Sequence, residues 1–162
     1  MNRLRLLLSS LVLILGSTAF AQLPRVASGK LERIENLASN YITPRNVDVW
    51  LPEGYDGKKK YAVLYMHDGQ MLFDSTTTWN KQAWDIDETL GRLLKERKVR
   101  DVIVVGVWNT TTRYTDYFPQ RAFESLTHAE RDTLYAIVQR SGASLFAAGP
   151  INSDNYLKFL VT

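Results

Sequence analysis

The chain has 162 residues, 45% hydrophobic and 11% aromatic, which is enough for one domain with its own core. It carries 20 basic and 17 acidic side chains, for a net charge of +3, and the basic residues form no stripe of the kind that binds nucleic acid. The absence of cysteine excludes disulfides, thiolate metal sites and a cysteine nucleophile.

The N-terminus has the pattern of a cleavable secretory signal peptide over residues 1–21. Two arginines precede an apolar run at residues 6–16, and small residues stand just before the predicted cut at Gln22. The run is shorter than the roughly 20 residues that cross a bilayer, so no stable membrane anchor is expected after cleavage. We therefore predict an exported protein, periplasmic or extracellular, whose mature domain is residues 22–162.

Two strands are predicted first. An imperfect alternation of apolar and polar residues begins at Lys30, and a cleaner one runs from Val47 to Leu51. The polar stretch 52–60 contains proline, glycines and three lysines, which predicts a solvated, hairpin-like connection.

Two continuous apolar runs, residues 61–66 and 101–107, predict strands buried on both faces of a sheet. Residues 82–98 between them predict a helix, because acidic side chains crowd its start and basic ones its end. Strand, helix and strand make a parallel βαβ unit. The predicted fold class is α/β, with a mostly parallel sheet and helices on its faces.

Helix signals continue towards the C-terminus. Thr127 and Glu130 form a capping box, and Ser153-Asp154-Asn155 can cap a further helix. Only one sheet-packing helix is complete in this pattern, so we expect an unfinished sheet that aggregates or seeks a partner. The sequence does not indicate an oligomeric state.

The loop after the first buried strand is the best candidate for chemistry. His67, Asp68 and Gly69 stand where ligands bind in parallel α/β sheets, at the carboxyl end of a strand. Glycine lets the backbone approach a ligand closely, and backbone N–H groups beyond it can stabilise an oxyanion. On spacing alone, an ordinary Asp-Gly turn is the simpler interpretation.

From Gly29 to Pro119 the chain resembles the Putative esterase group of the α/β-hydrolases, which includes enterochelin esterase-like and feruloyl or acetyl-xylan esterase-like enzymes. The His-Asp-Gly-Gln loop is specific in combination with the later Asn…Arg…Asp-Tyr-x-Pro segment. Matching stretches are residues 47–55, 63–74, 84–88, 104–110 and 113–119. The resemblance implies an α/β-hydrolase fold and an exported serine esterase. Its substrates would be carboxylic esters of small molecules, carbohydrates or siderophores, and no cofactor is implied.

The resemblance also implies site residues. By position in the family, the loop supplies one oxyanion donor, the backbone N–H of Gln70, with Met71 as second choice. Five further residues are candidates for the rim of a substrate cleft: His67, Asp68, Gly69, Asn109 and Arg113.

A structural role competes with the rim interpretation for the segment 109–119. In that interpretation Arg113 pairs with Asp116, and the segment is packed down by Tyr117 and Pro119. We favour it over a substrate contact because ion pairs and packed loops are common.

A complete catalytic triad cannot be built from these residues. The Gly-x-Ser-x-Gly elbow is absent, and Ser144 stands in the nearest imitation, without the last glycine or a preceding strand. His67 is expected to be structural and His128 to be a solvated helix residue. We expect a fragment that lacks the nucleophile, the triad histidine and the triad acid, and that is inactive alone. The alternatives are a non-catalytic truncated product and an exported α/β binding module.

Metal and nucleotide sites are not predicted. Asp85, Asp87 and Glu88 are clustered, but a helix start explains them. No histidine spacing resembles a zinc motif, and no glycine-rich phosphate loop is present.

Overall fold

The computed structural model describes residues 23–140 and 149–162. The predicted signal peptide and Ser144 lie outside the described residues. The elements, in chain order, are β1 Lys30–Leu37, β2 Arg45–Leu51, β3 Ala62–His67, a 3₁₀ turn Gly69–Met71, α1 Ile86–Lys95, β4 Val102–Val107, α2 Arg113–Tyr117, α3 Gln120–Glu124, α4 His128–Arg140 and α5 Ser153–Val161.

The four described strands form one sheet in the order β1-β2-β4-β3. β3 and β4 are parallel, paired from Ala62 with Val102 to His67 with Val107, and α1 connects them. The predicted parallel βαβ unit is thereby confirmed. β1 pairs with β2 and β2 with β4 in antiparallel fashion, so the described sheet is mixed and less parallel than we predicted.

The connection after β2 is solvated but is not a hairpin. Residues 53–60 are exposed, as predicted. They lead from β2 to β3, however, and β4 lies between those two strands. The hairpin interpretation was wrong because β4, much later in the chain, occupies the edge of β2 beside which a hairpin partner would lie.

β3 does not lie in the middle of the described sheet, contrary to the prediction from its apolar run. It is the edge strand, and Val63, Leu64 and Tyr65 are 47%, 40% and 58% exposed. The described residues provide no neighbour on its outer side. β4 matches its prediction better, since Val102, Val104 and Val107 are buried between β2 and β3.

The main core lies between α1 and one face of the sheet. Its buried members come from β1, β2, β4 and the segment after the 3₁₀ turn: Leu31, Trp50, Leu72, Phe73 and Val104. Ile86, Leu90 and Leu94 of α1 pack against them. α1 is shorter than the predicted span 82–98 at both ends: Asp85 has a left-handed backbone, with φ 49°, so the helix starts at Ile86, and it ends at Lys95.

A second cluster covers the opposite face. Val105 and Val107 point away from Val104 because side chains alternate along a strand. They pack with Ile42 and with Tyr156, Phe159 and Leu160 of α5. The described sheet therefore carries helices on both faces, as predicted.

The capping box ahead of α4 is confirmed. Thr127 N–H donates to Glu130 Oε2 at 2.8 Å, and Glu130 N–H donates back to Thr127 Oγ1 at 3.4 Å. The last helix also forms, but Ser153 does not cap it: Asn152 precedes the helix, and Ser153 Oγ accepts a hydrogen bond from Gln120 N–H instead. Across residues 23–140 and 149–162, no helix has the length and apolarity to span a membrane.

Candidate active site

Two loops meet at one edge of the sheet. β3 ends at His67 and β4 at Val107, and these two residues are partners in the parallel ladder. The segments that follow them therefore leave the sheet side by side at its carboxyl edge, where α/β proteins bind ligands. This places His67, Asp68 and Gly69 next to Asn109 and Arg113.

Gly69 allows the first loop to lie against β4. A Cβ atom at this position would collide with the backbone carbonyl of Gly106 and would approach Trp108 Cδ1 to 2.8 Å. Backbone cannot yield as a flexible side chain can. Glycine is therefore required because the loop packs against the backbone of β4, and not because of its backbone dihedrals.

The N–H groups of the 3₁₀ turn differ in availability. Met71 N–H donates to the Asp68 carbonyl at 2.8 Å, inside the turn itself. Gln70 N–H has no acceptor among the described residues. The Gln70 side chain is engaged elsewhere, since its Oε1 accepts Asn109 N–H at 3.1 Å. Of the two predicted oxyanion donors, only Gln70 presents an N–H that the fold leaves uncommitted.

Asp68 joins the two loops through its carboxylate. Arg113 donates to both oxygens, from Nε to Oδ1 at 2.8 Å and from Nη2 to Oδ2 at 2.7 Å. Asn109 Nδ2 donates to Oδ1 at 2.6 Å, and the Tyr117 hydroxyl lies 3.4 Å from the same atom. We call this arrangement of Asp68, Asn109, Arg113 and Tyr117 the carboxylate clamp.

The contacts of the clamp shift the pKa values of Asp68 and Arg113. Burial alone would raise the pKa of the Asp68 carboxyl, but the hydrogen bonds from Arg113 and Asn109 outweigh it and hold that pKa below its usual range. Hydrogen bonding to Asp68 in turn raises the pKa of the Arg113 guanidinium. Asp68 is therefore ionised at neutral pH, and its backbone has a left-handed conformation with φ 55° and ψ 43°.

The predicted ion pair between Arg113 and Asp116 does not form. Arg113 binds Asp68, and Asp116 instead accepts a hydrogen bond from Arg45 Nη2 at 3.0 Å, in a pair whose side chains are 1% exposed on both sides. The prediction paired neighbours within one helix turn. In the fold, α2 lies between two partners that are distant in sequence and turns one charged side chain to each.

Comparison with known proteins decides the family. The model of the family described as Putative esterase matches residues 39–140, which is more than half of the chain. The chain belongs to this esterase family. The matched region contains the 3₁₀ turn and the whole carboxylate clamp.

Two solved structures are also similar to this member of the esterase family. One is a CE1 ferulic acid esterase from Anaeromyces mucronatus in complex with ferulic acid, at 27% identity and a TM-score of 0.36, covering 52% of this chain and 30% of that one. The other, described as FAE, has 22% identity and a TM-score of 0.37, and the match covers 78% of this chain and 40% of that one. The chain thus spans less than half the length of either.

The His67 ring lies between Tyr117 of the clamp and Tyr156 of α5. Its Nδ1 shares a hydrogen bond of 2.8 Å with the Tyr156 hydroxyl, and its ring lies 5.1 Å from that of Tyr117. Burial raises the pKa of Tyr156 far above its usual range, so that hydroxyl stays protonated. A cavity of about 570 Å³ opens beside these rings, bordered also by Pro119 and Ser153.

Sequence reasoning missed Tyr156 as a neighbour of the site. Tyr156 meets His67 across 89 residues of sequence. No local pattern signals such a contact. Tyr117 was assigned to loop packing, which matches its contacts with His67 and Tyr156, but its approach to Asp68 was not foreseen.

The remaining titratable candidates lie away from the two loops. The His128 side chain is 95% exposed at the start of α4. Asp87 and Glu88 stand in the first turn of α1, where Asp87 is buried and accepts Ala27 N–H at 2.6 Å. Among the described residues, no group of three or more histidine, cysteine, aspartate or glutamate side chains is arranged to hold a metal ion.

Proposed function

We propose that the protein is an exported esterase-type hydrolase of carboxylic esters, and that the backbone N–H of Gln70 is one of its two oxyanion donors. Membership of the esterase family supports the reaction class. The observation that carries the residue assignment is an uncommitted N–H, next to a close-packed glycine, at the carboxyl edge of two parallel strands.

The chemistry follows from charge development. In acyl transfer a serine hydroxyl, deprotonated by a histidine, attacks the ester carbonyl, and the carbonyl oxygen becomes negative in the tetrahedral intermediate. Gln70 N–H would donate to that oxygen together with the N–H of the residue after the nucleophile. Such donors stabilise the transition state because they are already oriented and need no rearrangement.

We also propose where the nucleophile and the other two residues of the triad lie. The sequence contains no Gly-x-Ser-x-Gly segment. We therefore place the nucleophile, the triad histidine and the triad acid outside the 162 residues, and assign to this chain the sheet, one oxyanion donor and part of the substrate rim. Small-molecule, carbohydrate and siderophore esters are all compatible with this assignment.

Removing one N–H tests the proposal. In the complete protein, Gln70→Pro deletes the donor at a position whose 3₁₀ backbone suits the fixed φ of proline, and Gly69 has no Cβ to clash with the ring. We expect kcat on p-nitrophenyl acetate to fall about 100- to 1,000-fold, the usual cost of losing one oxyanion donor.

Gln70→Ala is the matched control. It removes the same side chain, including the acceptor for Asn109 N–H, but keeps the backbone donor. The alanine variant should keep kcat within about tenfold of the parent, well above the proline variant. Equal activity of the two variants, with both folded by circular dichroism, would contradict the assignment of Gln70.

A further inference from the structure

We propose that Arg113 is a positioning residue for this reaction, acting through Asp68 to fix the direction of the Gln70 N–H. The inference rests on the proposed function, since it concerns the same oxyanion donor. It differs from both sequence-based interpretations of Arg113, as a rim residue and as the partner of Asp116.

The first step of the argument is the backbone. The N–H of Gln70 belongs to the peptide between Gly69 and Gln70, so its direction depends on the dihedrals of the residues just before it. Asp68 is left-handed, a conformation that costs a residue with a Cβ free energy and persists only where surrounding contacts hold it. Gly69, which follows it, has no side chain to restrict its backbone. The conformation of the turn therefore depends on what holds Asp68.

The second step concerns the hydrogen bonds that hold Asp68 in place. The Asp68 side chain is bound by donors from the segment after β4, and the strongest geometry among them is the two-point contact with the Arg113 guanidinium. A second connection runs from Asn109 N–H to Gln70 Oε1. The turn is thus tied to the neighbouring loop both before and after the peptide that carries the donor.

The third step is the geometry of the Arg113 contact. Its guanidinium carbon lies 5.1 Å from the Tyr117 ring centre and 5.8 Å from that of Tyr114, so aromatic groups border the planar group. The Asp68 side chain is only 11% exposed. An oriented two-point donor fixes the plane of the carboxylate, which a lysine ammonium cannot do because it is a point charge.

The test compares Arg113→Met and Arg113→Lys in the complete protein with Gln70→Pro measured alongside. A donor misplaced by about 1 Å can cost about a hundredfold in rate. We expect Arg113→Met to lower kcat on p-nitrophenyl acetate by about tenfold or more. The inhibition constant of p-nitroacetanilide, an unreactive amide of the same shape, should stay within about twofold, because ground-state binding does not use the oxyanion contact.

The control variants separate positioning from general damage. Arg113→Lys should recover part of kcat, and Arg92→Met, an exposed arginine of α1, should leave kcat unchanged. Parent-like kcat in Arg113→Met would overturn the inference. So would a loss of kcat matched by an equal loss of amide binding.

The two proposals fail in different ways. If Gln70→Pro is inactive while Arg113→Met is fully active, only the positioning role of Arg113 is wrong. If Gln70→Pro has the activity of Gln70→Ala, the oxyanion assignment fails, and any effect of Arg113→Met belongs to another cause. If Arg113→Met does not fold, as judged by circular dichroism, kcat of Arg113→Lys is compared with kcat of the parent instead.

Discussion

The Asp68 carboxylate shows how much one residue contributes to this site. It accepts hydrogen bonds from Arg113 and Asn109, it faces the Tyr117 hydroxyl, and its carbonyl accepts Met71 N–H. Its side chain thus connects two loops while its main chain starts the 3₁₀ turn. Charge, hydrogen bonding and backbone conformation therefore depend on one another at this position.

The lowered pKa of Asp68 predicts a pH dependence of stability. A carboxyl with a lower pKa in the folded than in the unfolded chain stabilises the fold above the unfolded pKa of about 3.9, and this stabilisation is lost as the pH falls through the folded pKa. Asp68→Asn should lower the free energy of unfolding at pH 7 by about 1–2 kcal/mol, a reduced figure because Arg113 is 41% exposed and solvent screens the pair.

Urea unfolding at a series of pH values checks this. The difference between the parent and Asp68→Asn should be largest near neutral pH and should shrink in acid. Asp132→Asn, on the exposed surface of α4, is the matched substitution outside the clamp. A difference for Asp68→Asn that stays constant from neutral pH into acid would contradict the proposed contribution of the ionised carboxylate.

At the scale of elements, β3 is the most exposed apolar part of the sheet. Its outer edge has no strand partner among residues 23–140 and 149–162, it carries Val63, Leu64 and Tyr65, and such edges pair readily with other chains. We expect the 162-residue chain to self-associate at micromolar concentration, and Tyr65→Lys to reduce this association because a charged edge resists pairing.

Sedimentation velocity measures the effect, with Val99→Lys as a control that introduces the same charge outside the sheet. Val99 is also exposed and apolar, so an equal decrease in both variants would indicate a general effect of charge. Association that Tyr65→Lys leaves unchanged would show that the β3 edge is not the contact.

The elements differ in how far their own sequence predicts them. β2, β4, α1 and the capping box of α4 were found from local spacing, because alternation, helix-end charges and hydrogen bonds three residues apart are short-range features. The edge position of β3 was not found. Its apolar run reads the same with or without a neighbouring strand, and the neighbours of a strand are decided by distant parts of the chain.

At the scale of the whole molecule, buried ion pairs connect distant segments. Arg45 on β2 binds Asp116 on α2, and Arg33 on β1 binds Asp48 on β2 at 2.7 Å, with all four side chains at most 4% exposed. A buried charge without its partner is costly, which is why each such pair fixes which segments meet. These pairs join residues that are 71 and 15 positions apart, and local spacing did not predict them.

Breaking the longer-range pair should destabilise the fold strongly. Arg45→Met leaves Asp116 buried, with the Thr112 hydroxyl as its one remaining side-chain donor in the described part of the chain, and we expect a loss of about 3–5 kcal/mol in the free energy of unfolding. Adding Asp116→Leu should recover a large part of the loss, because both charges are then gone.

Lys59→Met is the control for this prediction, since its ion pair with Asp101 is about half exposed, and its melting temperature should not change measurably. Equal changes in melting temperature for Arg45→Met and Lys59→Met would show that burial does not decide the strength of these pairs.

The N–H proposed as oxyanion donor and all members of the clamp fall within residues 68–117, in consecutive elements from the end of β3 to the end of α2. One uninterrupted stretch of the gene therefore encodes this half of the candidate site together with its supports. α3 and α5 border the cavity beside His67, so changes in these two helices can alter that cavity and leave the stretch 68–117 intact. The shape of that cavity and the proposed anion-stabilising turn thus depend largely on different stretches of the chain.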